Sequence, residues 1–211
     1  IKSKYIDFVI VNGENAASQG VGLTKEICKD FFNCGVNVIT TGNHVWDQKE
    51  IMEYIEKEER LLRPKNLFEP APGKGFNIYN TKSNIKIGVL NLMGNVFMKK
   101  CEDVFEISEK FLKQNKLKED YDLLVVDFHG EITSEKNAIG HFFDGKATLV
   151  VAIPDPWIDV QTVADLEEIA FEFKDKKKIR LRVATKYPNL TREFLFSKGV
   201  TQFRLVSSLG A

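Results

Sequence analysis

Cysteine is scarce in this sequence, and its three occurrences exclude a disulfide framework. Cys28 and Cys34 lie six positions apart on one predicted helix and therefore point to different faces, while Cys101 stands alone. No two cysteines have the spacing of a CxxC metal or redox motif. This usage is typical of a reducing compartment, and it predicts a cytoplasmic protein.

Charge of one sign is also missing, because 30 Lys and Arg residues balance 30 Asp and Glu residues. Without a net field, the sequence gives no strong signal for nucleic acid or for an anionic membrane. No apolar run approaches the roughly 18 residues that cross a bilayer, and no signal-peptide pattern opens the chain. We therefore expect no membrane partner. The start at Ile1 rather than Met, inside a segment that reads as structure, favours a fragment of a longer protein.

What the sequence does contain is a regular alternation of β and α patterns, with 43% apolar residues to form a core. This alternation predicts an α/β fold with a layered, mainly parallel sheet and helices on both faces. The predicted strands up to residue 153 are 7–11, 36–40, 123–128 and 147–153, together with a hairpin of 76–79 and 85–92. Four helices are predicted between them. The first is capped by Thr24 and ends at Gly35, the second has an apolar stripe of Ile51, Tyr54, Ile55 and Leu62, the third covers Val104 to Leu112, and the fourth runs from a cap at Thr133 or Ser134 to Phe143.

A further segment follows Pro154-Asp155-Pro156 and continues the alternation as an extra βαβ-type tail. Its predicted elements are a helix with Leu166, Ile169 and Phe173, a strand at 180–184, a helix at 190–196 and a strand at 202–206. No repeat period links the two parts of the chain. We therefore divide it into a first domain at 1–153 and a partial second domain at 154–211.

Three predicted strands of the first domain end in turns that carry metal-binding side chains. These turns are Gly13-Glu14-Asn15, Gly42-Asn43-His44 and Asp127-Phe128-His129. Ligands of open α/β sheets collect at the carboxyl ends of the strands, so three such ends predict one shared site. Carboxylate, amide oxygen and imidazole together suit a hard to borderline metal such as manganese, iron or zinc.

Each of these residues also has a structural interpretation. Glu14 beside asparagines in a turn is more often a backbone cap than a ligand, and His44 is, by itself, more often an ordinary hydrogen-bonded histidine. Asp127 shares a strand face with His129, where it either orients the imidazole or serves as a structural carboxylate. We assign His141 to the surface or to packing.

Five blocks carry a resemblance to a known family. They are Val11-Asn12-Gly13-Glu14-Asn15-Ala16-Ala17, Thr41-Gly42-Asn43-His44-Val45-Trp46-Asp47, Leu61-Leu62-Arg63-Pro64, Asn91-Leu92-Met93-Gly94-Asn95-Val96-Phe97-Met98, and Val126-Asp127-Phe128-His129 with Ser134-Glu135-Lys136. In order and spacing, residues 1 to about 151 resemble the YmdB-like family of calcineurin-type metallophosphoesterases. The resemblance implies hydrolysis of phosphodiesters, with 2′,3′-cyclic nucleotides as substrates, at a centre of two divalent metal ions.

The resemblance also implies roles for individual residues. Glu14 becomes the carboxylate that bridges the metals, Asn43 and His129 become ligands of one metal, and His44 becomes the acid near the leaving oxygen. We expect Asn15 and Asp127 to contact these residues and to hold them in position without binding the metal themselves.

Two departures from the family pattern predict an incomplete metal site. The family opens with a Gly-Asp-Ile-Val-Gly strand whose Asp is a ligand, and this chain starts after it. The family also follows its Leu-Val-Val strand with Gly-Thr-His-Thr-His, whereas here Leu149-Val150-Val151 runs into Ala152-Ile153-Pro154-Asp155. We therefore expect one metal ion or none, and an impaired enzyme.

The tail resembles a second family. Leu149 to Trp157, Val163-Ala164-Asp165-Leu166, Arg182 to Thr191 and Ser208-Leu209-Gly210-Ala211 are similar to ATP phosphoribosyltransferase, the first enzyme of histidine biosynthesis. The phosphate-binding loop of that family should follow the point where this chain stops. We infer a composite chain joined at a strand that both families share, with a natural fusion, an assembly error and a computational product as its conceivable origins.

Three functions follow from these observations. The favoured one is a metal-dependent phosphodiesterase that acts on a small phosphodiester or cyclic nucleotide. The alternatives are a fragment of an ATP phosphoribosyltransferase and a non-catalytic α/β module that binds at most one metal. A homo-oligomer remains open for all three.

Overall fold

Two compact units make up the computed structural model, Ile1–Ala152 and Ile153–Ala211. The structure describes residues 6–18, 20–152, 163–178, 180–185 and 188–207. The elements of the first unit are β1 (Ile10–Asn12), α1 (Lys25–Asn33), β2 (Val38–Thr40), α2 (Glu50–Tyr54), β3 (Leu61–Leu62), β4 (Phe76–Asn80), β5 (Lys86–Met93), α3 (Val104–Gln114), β6 (Leu123–His129), α4 (Thr133–Phe142) and β7 (Leu149–Val151).

The strands of the first unit form two sheets. β1, β2 and β3 form a three-stranded parallel sheet, in which Ile39 is paired with Leu61. The second sheet has the order β4-β5-β6-β7, in which β4 is antiparallel to β5 and the other pairs are parallel. The predicted α/β fold with mainly parallel strands is therefore confirmed, and so is the hairpin of β4 and β5.

The two sheets face each other, and the helices cover their outer faces. Val38 and Leu62 of the first sheet pack against Ile87 and Val89 of the second. Alternate residues point the other way, so Ile39 packs with the residues of α1 and α2, while Leu90 and Leu92 pack with those of α3 and α4. Both faces of the central strands are buried, which explains their nearly continuous apolar sequences.

Local signals placed α1 correctly. Thr24 is the N-cap, and its hydroxyl accepts a hydrogen bond of 3.2 Å from the Ile27 amide. Gly35 follows the helix with a φ of 97°, a left-handed conformation that glycine adopts readily.

Two local predictions are wrong. The predicted second helix extends through Leu62, but α2 ends at Tyr54, and Leu61–Leu62 forms β3 beside β2. The reason is tertiary: the free edge of β2 offers backbone groups, and Ile39 N donates to Arg60 O at 2.8 Å. Neither Thr133 nor Ser134 caps α4, because Ile132 occupies the N-cap position without a side-chain hydrogen bond.

The second unit contains α5 (Val163–Lys177), β8 (Leu181–Thr185), α6 (Pro188–Ser197) and β9 (Phe203–Ser207). β8 and β9 pair in parallel, with Leu181 opposite Phe203. Both residues belong to a small core with Ala170, Leu195 and Val200. The helix, strand, helix and strand agree with the sequence pattern, and Pro154-Asp155-Pro156 lies outside the described residues. No helix in the described part of the chain is long and apolar enough to cross a membrane.

A buried amide connects the two sheets next to their carboxyl edge. Asn91 of β5 is fully buried, and its Oδ1 accepts a hydrogen bond of 2.9 Å from the Thr41 amide, directly after β2. The Thr41 hydroxyl in turn donates to Leu62 O at 2.9 Å. These contacts fix the turn that carries Asn43 and His44.

We predict that Asn91→Ala lowers the free energy of unfolding by about 1–3 kcal/mol, because it leaves the buried Thr41 amide without an acceptor. Urea unfolding measures the change. The control is Asn77→Ala, which removes an exposed hydrogen bond to Glu59 O and should cost less than about 1 kcal/mol. Equal losses in the two variants would contradict the role of Asn91.

Candidate metal centre

Three strand ends meet at one edge of the facing sheets. Glu14 follows β1, Asn43 follows β2, and His129 is the last residue of β6. His129 Nε2 lies 2.7 Å from Asn43 Oδ1 and 3.6 Å from Glu14 Oε1. The structure therefore brings together the carboxylate, amide and imidazole named from the sequence.

The Glu14 carboxylate is the most constrained group of this cluster. Glu14 is only 3% exposed, and its Oε1 accepts a hydrogen bond of 2.7 Å from the His44 amide. Oε2 is buried and has no hydrogen-bond partner among the described residues. Burial raises the pKa of Glu14 to about 7, against the opposing effect of the His44 amide. Such an oxygen is a natural ligand for a cation, which would compensate its burial.

Gly42 is required by the close packing of this cluster. A Cβ atom at this position would lie 2.3 Å from His129 Cδ2 and 2.8 Å from Glu14 Cδ. Any side chain would therefore displace two of the three donor residues. The sequence shows this glycine only as part of a turn, so its packing role depends on the tertiary structure.

Asp127 joins three strand ends next to the cluster. Its Oδ2 accepts a hydrogen bond of 2.8 Å from Asn12 Nδ2 and a second one from the Thr40 hydroxyl. Both bonds join strand ends of the two sheets, so the geometry favours the structural interpretation of this carboxylate. Burial raises the pKa of Asp127 above its ordinary value. Sequence reasoning missed Asn12 and Thr40, although each is a polar residue at the end of a strand.

His44 lies at the entrance of the cluster with a carboxylate behind it. Its Nδ1 is 2.6 Å from Asp47 Oδ2, and Lys99 Nζ is 3.1 Å from the other oxygen of Asp47. The hydrogen bond with His44, followed by that with Lys99, lowers the pKa of Asp47. Since Nδ1 is engaged, Nε2 is the nitrogen that can exchange a proton with a ligand. Sequence reasoning did not identify Asp47 or Lys99.

The sequence predicts a supporting role for Asn15 and a surface or packing role for His141. Asn15 is exposed and makes no hydrogen bond to another described residue, and His141 is exposed in the last turn of α4. Within the described ranges no group of three or more His, Cys, Asp or Glu residues could hold a metal ion. The candidate set is of another composition, because one of its three donors is the Asn43 amide.

The fold and this site place the first unit in the class of phosphatase-like α/β proteins. The crystal structure of a phosphatase from Mycoplasma pneumoniae superposes with a TM-score of 0.61 and 38% identity, covering 70% of this chain and 53% of that protein. The family model of YmdB-like proteins matches residues 1–153, and the chain belongs to this family.

Relatives that match the first unit are named as phosphodiesterases or as putative phosphatases or phosphodiesterases. The 2′,3′-cyclic-nucleotide 2′-phosphodiesterase of Bacillus subtilis is 40% identical over 152 residues, which cover 72% of this chain and 56% of that protein. The chain thus spans about half the length of the relatives that it matches in this part.

The end of the chain matches a different family. The model of ATP phosphoribosyltransferase matches residues 127–211. The ATP phosphoribosyltransferase of Nitrobacter winogradskyi is 54% identical over 67 residues, which cover 32% of this chain and 21% of that enzyme. The resemblance of the tail to this family is confirmed.

We predict that Glu14→Gln stabilises the metal-free protein increasingly as the pH rises from about 4.5 to about 7. The folded carboxyl has the higher pKa, so the folded state binds more protons than the unfolded state in this window, and wild-type stability falls with rising pH. The variant lacks this penalty in the free energy of unfolding, which reaches about 3 kcal/mol above pH 7.

Urea unfolding in EDTA at pH 5 and pH 8.5 measures the difference between wild type and variant. Glu131→Gln, on an exposed residue, controls for the loss of one charge. A wild-type protein that gains stability relative to Glu14→Gln at pH 8.5 would show that the buried carboxylate is already compensated by the protein.

Proposed function

We propose that the first unit is a metal-dependent phosphodiesterase whose substrate class is the 2′,3′-cyclic nucleotides. The observation that carries this proposal is the buried Oε2 of Glu14, which has no hydrogen-bond partner among the described residues. The other oxygen of this carboxylate lies 3.6 Å from the His129 imidazole, which is itself 2.7 Å from Asn43 Oδ1. The name of the Bacillus subtilis relative supports the substrate class.

The residues present fit a divalent cation. Glu14, Asn43 and His129 would hold it, and their mixture of oxygen and nitrogen donors suits manganese, iron or zinc. When bound, the cation supplies positive charge that activates water and neutralises charge on the phosphoryl oxygens. In the family pattern, histidines that follow the Leu-Val-Val strand serve a second metal, and here Val151 is followed by Ala152. We therefore expect at most one metal ion per chain and turnover below that of a two-metal enzyme.

The protein's own residues supply orientation and a proton. Asp47 holds His44 through Nδ1, so that Nε2 presents a proton to the oxygen that leaves phosphorus. Water adds to phosphorus and releases one proton to solvent, one of the two P–O ester bonds of the cyclic diester breaks, and the departing alkoxide takes the proton from His44 Nε2. Asp127 keeps the strand ends in register through Asn12 and Thr40.

The tail favours a second candidate, binding of a phosphoribosyltransferase substrate. The matched segment covers only 21% of the relative from Nitrobacter winogradskyi. We therefore assign the activity to the first unit. Protection of the chain by ATP or phosphoribosyl pyrophosphate in a thermal shift assay would support the second candidate.

We predict that the protein hydrolyses bis-para-nitrophenyl phosphate and 2′,3′-cyclic AMP when manganese is added. Glu14→Ala should abolish turnover and reduce the metal content, because it removes the buried carboxylate that holds the cation. Metal analysis after gel filtration gives the number of ions per chain. His141→Ala is the control on an exposed histidine and should change neither quantity.

A protein without turnover and without bound metal would overturn the proposal, as would full activity in Glu14→Ala. One bound metal without turnover would favour the non-catalytic module.

We predict that His44→Ala retains the metal and loses turnover by a factor of about 10²–10⁴, the usual contribution of a general acid. The loss should be smaller for bis-para-nitrophenyl phosphate than for the cyclic nucleotide, because para-nitrophenolate leaves without a proton. Comparison of kcat for the two substrates tests this difference. An equal loss for both would assign His44 to structure.

A further inference from the structure

Phe97 displays an aromatic ring to solvent on a strained backbone. Phe97 is 85% exposed, and its φ is 60°. This left-handed backbone conformation is unfavourable for a residue whose side chain makes no local hydrogen bond. Stability alone would favour glycine or asparagine here, since the ring buries little surface. A strained and exposed residue of this kind points to a function outside the fold itself.

The loop that carries this ring is firmly held. The buried Glu135 carboxylate accepts hydrogen bonds from Asn95 N at 2.7 Å and from Val96 N at 3.4 Å. The Asn95 side chain accepts a hydrogen bond from Val104 N and donates one to Glu102 O, both at 2.9 Å. The exposure of the ring is therefore a fixed property of the loop rather than the result of loose packing.

The same loop reaches the candidate metal centre. Lys99, two residues after Phe97, places Nζ 3.1 Å from Asp47 Oδ1, and the other oxygen of Asp47 lies 2.6 Å from His44 Nδ1. The peptide N–H of His44 donates to Glu14. A short chain of contacts thus connects this loop, through Lys99 and Asp47, to the His44 imidazole and to the Glu14 carboxylate.

We propose that Phe97 is a substrate-binding residue on which the nucleobase of a nucleotide substrate stacks. This inference rests on the proposed function and deepens it, because it assigns the recognition of the base while the phosphate lies at the donor cluster. Every nucleobase has a π face, so stacking on one ring gives affinity with little discrimination among bases. One loop tip is far smaller than the roughly 800 Å² per partner of a stable protein interface, which favours a small ligand over a protein.

Isothermal titration in the presence of manganese tests the proposal with adenosine 3′-monophosphate and the base-free ribose 3-phosphate. Phe97→Ala should weaken binding of the nucleotide by about tenfold and leave that of the sugar phosphate unchanged, and Phe97→Trp should restore the affinity. Turnover of 2′,3′-cyclic AMP should show a raised KM and an unchanged kcat. Ile78→Ala, which truncates an exposed apolar residue of β4, is the control.

The melting temperature separates recognition from a structural role. Phe97→Gly should melt about 2–4 °C above Phe97→Ala, because glycine accepts the left-handed backbone, and it should bind the nucleotide as weakly as Phe97→Ala.

Unchanged nucleotide affinity in Phe97→Ala would overturn the inference, even if Glu14→Ala confirms the phosphodiesterase. A wild-type protein that binds the nucleotide no better than the sugar phosphate would overturn it as well. If the protein shows no turnover but binds the nucleotide more tightly than the sugar phosphate, and Phe97→Ala removes that difference, the role of Phe97 in base binding is supported and the proposed phosphodiesterase activity is rejected. A change of sedimentation in Phe97→Ala would instead assign the ring to self-association.

Discussion

The Asp127 carboxylate holds together the part of the structure on which the site depends. Asp127, at the end of β6, accepts hydrogen bonds from Asn12 of β1 and Thr40 of β2 and so joins the two sheets where their strands end. Apolar packing between the sheets has no direction along the strands, whereas these bonds fix the register. The distance between His129 on one sheet and Asn43 on the other follows from that register.

The cluster at this edge lowers the stability of the free protein. Glu14 is buried without full compensation, and Gly42 leaves just enough room for the neighbouring imidazole. Phe97 adds a strained backbone and an exposed ring on the loop whose Lys99 contacts Asp47, the partner of His44. Groups that cost stability in the free protein concentrate where a ligand would repay the cost, as is typical of functional sites.

The two family resemblances overlap at the end of the first unit. The YmdB-like match runs to residue 153, and the ATP phosphoribosyltransferase match begins at residue 127, so their overlap includes the end of β6 and all of β7. β7 pairs with β6 through Val125 and Leu149, at one end of the order of the second sheet. An apolar strand at a sheet edge fulfils the same pattern in either family, which permits a change of sequence downstream without loss of pairing.

The sequence by itself determined the α/β alternation, the ends of α1, the hairpin of β4 and β5, and the residue types that end three strands. Periodicity, caps and turn residues are local signals, and they act within a few positions of the chain. The tertiary structure decided that Leu61 and Leu62 form a strand, that Asp127 binds Asn12, and that Asp47 connects His44 to Lys99. Asn12 and Asp127 are 115 positions apart, so no local pattern relates them. Only the packing of two sheets brings such residues within hydrogen-bond distance and turns separate strand ends into one candidate site.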